Sequence, residues 1–133
     1  CFDGWVERMR RGTLFIGWGA IIPGRETMAS NVLQDAMVFL HKLESEGVID
    51  GIEVVLLEPH GGDLDGFVLI KGRLDQLAQL RVQDDFVKMI IGVRLVHSGV
   101  GVVAGHSGQE MQPYLLAWAD QERRLLGASE EKS

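Results

Sequence analysis

The stretch EPHGGDLDG, residues 58–66, gathers Glu58, His60, Asp63 and Asp65 around a pair of glycines, the densest run of reactive side chains in the chain. On an extended strand Glu58 and His60, one residue apart, alternate onto the same face. A carboxylate beside an imidazole there is a proton-transfer pair or half of a metal site. No further His, Asp or Glu stands at a recognisable ligand spacing, and the pattern of a calcium loop is absent, so no metal is expected. The competing reading is conformational. A hairpin between two buried strands needs residues that tolerate positive φ, and Gly61-Gly62-Asp63 with Asp65-Gly66 supply them.

Three further residues could line a site. His97 and His106 stand nine residues apart at the two ends of an apolar run. An odd separation on a regular strand sends them to opposite faces, so one of the two can enter a shared pocket. Trp18, between Gly17 and Gly19, can lay its ring where a neighbouring side chain is missing, as core or as pocket wall. His41 falls beside the apolar stripe of a helix and is expected in solvent. GVGVVAG (99–105) lacks the dinucleotide-binding glycine spacing, and GWGAIIPG (17–24) lacks the Lys-Ser/Thr ending of a phosphate loop. No serine or cysteine sits in a nucleophile setting, and no motif calls for a cofactor.

These residues must be held by an alternating series of elements. GTLFIGWGAII (12–22) reads as a strand that Pro23-Gly24 stops. Met28, Val32, Ala36, Phe39, Leu40 and Leu43 recur at three and four residues over 26–46, a helical stripe ending at Gly47. GIEVVLLEPH (51–60) and GFVLIKG (66–72) read as two strands joined by a hairpin loop at 61–65. Leu77, Leu80, Phe86, Met89, Ile90 and Val93 predict a short helical turn and then a longer helix from about Gln83. RLVHSGVGVVAG (94–105) reads as the fourth strand. Met111, Tyr114, Leu115, Trp118 and Leu125 mark a C-terminal helix over 109–126.

The order β-α-β-β-α-β, with G-x-φ-x-I-x-G opening both halves, predicts an α+β fold: a ferredoxin-like antiparallel sheet with both crossover helices on one face. The domain is expected over 12–108. Residues 1–11 read as a leader or an N-terminal arm carrying Phe2 and Trp5, and 127–133 as a disordered tail. With 133 residues, 46% of them hydrophobic, the chain is sized for one domain. Apolar stretches break well before the roughly 18 residues of a membrane span. A net charge of −6 argues against nucleic acid and anionic membranes as partners. One cysteine, Cys1, permits no intrachain disulfide, and no secretory signal is visible, which points to the cytoplasm.

Both faces of the sheet read as buried. Strand one is apolar at Leu14, Ile16 and Trp18 and also at Phe15 and Ile21, and strand two at Ile52, Val54 and Leu56 as well as Val55 and Leu57. The chain's helices cover one face, and a second copy is the simplest cover for the other, giving a two-fold homodimer packed sheet against sheet.

This arrangement, with its PGRE turn at 23–26, resembles the dimeric α+β barrel superfamily, which includes antibiotic-biosynthesis-type monooxygenases and muconolactone-isomerase-like proteins. The resemblance covers roughly residues 12–106. LLEPHGGDLDGF is in addition similar to stretches in small uncharacterised bacterial and environmental proteins of that fold. It implies a pocket between sheet and helices for a small apolar or aromatic molecule, and in some members cofactor-free oxygen chemistry, but carries over no catalytic motif residue by residue. Three readings stay open: a binding protein whose pocket Trp18, His97 or His106 lines; a cofactor-independent monooxygenase- or isomerase-like enzyme using His60 and Glu58; and a ligand-free structural dimer.

Overall fold

In the computed structural model, which describes residues 10–127, β1 (Arg11–Trp18) is followed by α1 (Glu26–Ser45), β2 (Gly51–Leu56), β3 (Gly66–Arg73), α2 (Leu74–Leu80), α3 (Asp84–Val96) and β4 (Gly101–Gly105). A 3-10 turn at Gly108–Glu110 leads into α4 (Met111–Leu126). The sheet is antiparallel in the order β2-β3-β1-β4, the ferredoxin-like order, with α2 and α3 together forming the second crossover. β1 is central, pairing Ile16 with Val68 on one side and with Val102 on the other.

Strand alternation sorts the side chains. Leu14, Ile16 and Trp18 of β1 and Val68 and Ile70 of β3 point to the helical face and join one core with Leu40 and Leu43 of α1, Leu77 and Leu80 of the second crossover and Phe86 and Val93 of α3. Helix α1 buries Ala29, Ala36, Leu40 and Leu43, spaced at seven, four and three residues, and its Glu26 and Lys42 suit the two ends of the helix dipole. At the start of α2 the Arg73 guanidinium bonds both Asp75 oxygens, at 3.1 and 2.6 Å, and that bond holds the Asp75 carboxyl below its ordinary range.

The opposite, outer face carries Phe15, Val55, Phe67, Leu69 and Val103, with Phe15 and Phe67 stacked at a 5.3 Å centroid separation. None of these five is fully buried, and Val103 is 56% exposed. Helix α4 likewise has no buried residue, and its Trp118 is 63% exposed. No described helix is long and apolar enough to cross a membrane.

Three boundaries depart from the sequence expectation. The fourth strand spans 101–105 rather than 94–105, because Val93 and Val96 continue the buried stripe of α3 from Phe86, and packing outweighs the β-branched composition. Strand two ends at Leu56, so Glu58 and His60 lie in a loop and strand alternation does not apply to them. Strand one ends at Trp18, with Ile21 retaining only a single bridge to His97. Of the expected N-terminal leader or arm and C-terminal tail, residues 1–9 and 128–133 lie outside the described residues.

Ile70 is 0% exposed at the centre of the sheet. Ile70→Ala is expected to cost about 2–5 kcal/mol, measured as the shift in the urea unfolding curve.

Candidate functional site

The cavity of about 630 Å³ between the helical face of the sheet and helices α1 and α3 is of the size that holds small organic ligands. Ile16 and Val68 form its sheet wall, Leu33 and Leu40 its α1 wall, and Met89 and Val93 its α3 wall. The void follows from the sequence of α1, where Ala29, Ser30 and Ala36 face it with small side chains while Leu40 closes the deep end of the same stripe. Five polar side chains also line it: Glu26, Ser30, His60, Asp65 and His97. The first four are exposed and form the rim, and His97 is half-buried.

Trp18 is 7% exposed and serves both as core and as cavity wall. Its indole lies over Gly66, its cross-strand neighbour, where a Cβ would come within 2.9 Å of the ring. The missing side chain that accommodates Trp18 thus belongs to β3, and not to Gly17 or Gly19.

The loop of residues 57–65 closes one end of the cavity. Its ends are fastened by the Asp65 N–H donating to the Trp18 carbonyl at 2.8 Å and the Leu57 N–H donating to the Asp65 carbonyl at 2.9 Å. Within it only Gly61 adopts positive φ, at 88°, so the turn accounts for one glycine on conformational grounds and not for Gly62, Asp63, Asp65 or Gly66. His60 folds back over the loop. The Gly62 N–H donates to its Nδ1 at 3.2 Å, which makes Nε2 the protonated nitrogen, donating to the Leu64 carbonyl at 2.7 Å. Both ring nitrogens are therefore engaged in shaping the loop. Glu58 is exposed, lies outside the cavity wall and shares no hydrogen bond with His60 among the described residues.

His97 and His106, expected at the two ends of one strand, lie on different elements. His97 caps the C-terminus of α3, its N–H donating to the Val93 carbonyl at 2.9 Å, and its ring stands 5.9 Å from that of Trp18 on the cavity wall. His106 lies beyond β4 and outside that wall, stacked on Tyr114 of α4 at 4.5 Å with its Nδ1 buried and without a hydrogen-bond partner among the described residues. His41 is exposed, with Nδ1 2.8 Å from the Met37 carbonyl oxygen. No group of three or more His, Cys, Asp or Glu among the described residues could hold a metal ion.

Residues 19–22 after β1 run against residues 96–98 at the C-terminal end of α3. The Gly19 N–H donates to the Ser98 carbonyl at 2.7 Å, the Ser98 N–H to the Ala20 carbonyl at 2.9 Å, and the Ile22 N–H to the Val96 carbonyl at 2.8 Å. This clamp was not legible from hydrophobic periodicity, because it is built by backbone groups. Its one sequence signal is Gly19, which is buried where a Cβ would meet the carbonyl oxygens of both Asp63 and Ser98 at 2.9 Å.

In sequence, no family model and no curated protein matches the chain. Solved structures share its fold. A dimeric protein of unknown function and ferredoxin-like fold from Bacteroides fragilis superposes with a TM-score of 0.56 at 13% identity, over 73% of this chain and 96% of that one. SnoaB, a cofactor-independent oxygenase from Streptomyces nogalater, superposes with a TM-score of 0.52 at 13% identity, over 75% of this chain and 95% of its own. A mutant form of the same oxygenase gives 0.52 at 10% identity.

The clamp predicts an asymmetry between glycines. Gly19→Ala is expected to cost about 1–3 kcal/mol, since backbone must move to admit the methyl group. Gly101→Ala, where a Cβ meets nothing within 4 Å, is expected to show no such loss in the same urea titration.

Proposed function

We propose that the chain is a homodimeric α+β protein of the cytoplasm that binds a small apolar or aromatic molecule in the cavity between sheet and helices. The observation that carries this reading is the cavity itself, a void of about 630 Å³ with an apolar wall and a few polar groups. An apolar wall facing water in a cavity of that size is unfavourable, and an apolar ligand removes it from water. The dimer is supported by the apolar outer sheet face around Phe15 and Phe67 and by the dimeric state of the Bacteroides fragilis protein. A sheet whose two faces are both apolar is stable in water only with both covered.

Mass measurement of the purified protein under native and then denaturing conditions tests both parts. The expected result is a dimer that carries an additional small mass, released on denaturation. A monomer would overturn the account of the outer face. A clean dimer that then takes up no naphthalene-sized probe would overturn the account of the cavity.

A second reading, catalysis by a cofactor-independent oxygenase- or isomerase-like route, is supported by histidine side chains at the cavity and by the oxygenase among the proteins sharing the fold. On this reading a bound ligand emerges converted after long incubation. Recovery of the ligand unchanged would leave binding as the whole activity. His60→Ala, which removes the residue expected from sequence to move the proton and a strut of the loop beside the cavity, is expected to abolish turnover on this reading, and turnover at the native rate would exclude His60 from the reaction.

A further inference from the structure

We infer that His97 is the hydrogen-bond acceptor of the cavity, and that the molecule bound there carries a hydroxyl or N–H donor on an otherwise apolar frame. This rests on the cavity being a ligand site, as proposed above, and adds the chemistry by which it selects.

The tautomer of His97 follows from its partner. A carbonyl oxygen can only accept, and the Gly19 carbonyl oxygen stands 3.0 Å from His97 Nδ1. Nδ1 therefore carries the hydrogen, and in the neutral ring the lone pair resides on Nε2. Nε2 has no hydrogen-bond partner among the described residues.

The acceptor is also held in place. Three backbone hydrogen bonds join residues 19–22 to 96–98, and the His97 N–H is fixed to the Val93 carbonyl. The Gly19 carbonyl that orients the ring thus belongs to the same clamp as the ring's own backbone. Trp18 packs beside it on the second side. A ring held by packing and by a hydrogen bond to its far nitrogen loses little freedom when a ligand binds.

The other polar groups of the wall do not compete for this role. His60 has no free lone pair, and Glu26, Ser30 and Asp65 are exposed at the rim, where water satisfies them. His97 is the half-buried one, next to the buried Trp18 and Val93. An apolar ligand that covers Nε2 without a donor strips the nitrogen of water and returns nothing, whereas a ligand with a suitably placed donor restores the bond. Sites built this way discriminate against analogues lacking the donor.

The test compares 2-naphthol with 2-methoxynaphthalene, which share the apolar frame and differ in the hydroxyl hydrogen, by fluorescence titration of the native protein and of His97→Phe. The preference for 2-naphthol over its methyl ether is expected to be about three- to tenfold greater in the native protein than in the variant, the size of one net hydrogen bond. A preference equal in the two proteins would overturn the role of His97 while leaving the cavity as a ligand site. Failure of both probes to bind the native protein would overturn the ligand site and this inference together. Should His97→Phe not fold, nitrogen NMR of the native imidazole decides alone. The expected result is a hydrogen on Nδ1 and an Nε2 resonance that moves with 2-naphthol but not with the ether. A hydrogen on Nε2, or equal response to both probes, would overturn the assignment.

Discussion

The crossing of residues 19–22 with 96–98 is the constraint on which the candidate site depends. It joins the end of the central strand to the end of α3 through backbone hydrogen bonds, so the distance between sheet and helix at that corner is set by peptide geometry and not by the size of side chains. A cavity can persist beside such a junction because the wall cannot collapse into it. The void left by the small residues of α1 stays open for the same reason that a large-to-small substitution in a rigid core leaves a hole.

The polar groups at this corner divide into those that shape the cavity and one that faces it. His60, Gly61 and Gly62 fold the loop back on itself, with the imidazole acting as a double-ended strut between the Gly62 N–H and the Leu64 carbonyl. His97 is fixed at one nitrogen only. The two histidines thus differ in how many of their nitrogens the backbone claims, a distinction that composition does not report.

The two faces of the sheet pose different physical problems. On the helical face, Leu14, Ile16, Val68 and Ile70 find partners in the crossover helices and are nearly fully buried. On the outer face, Phe15 and Phe67 stack on each other and Val103 stays exposed, while α4 holds Tyr114, Leu115 and Trp118 in solvent. Apolar side chains on a sheet face and on a helix of one chain are what the proposed dimer would cover.

Periodicity indicated the element order and the apolar stripes that hold Leu14, Ile16, Leu40 and Phe86, and crossover handedness with that order indicated the ferredoxin-like fold. Burial of a stripe or of alternate positions is a local pattern that the chain carries wherever it goes. Composition around residues 58–66 showed that a turn belongs there, but reading Glu58 and His60 as neighbours on a strand required that strand to continue, and it stops at Leu56. Strand length is set by pairing, and the pairing of β2 ends opposite Gly66. The orientation of the His97 ring was decided by tertiary structure alone. Its hydrogen bond reaches Gly19, seventy-eight residues away in the chain, and no spacing within a single element encodes which carbonyl a distant imidazole will meet.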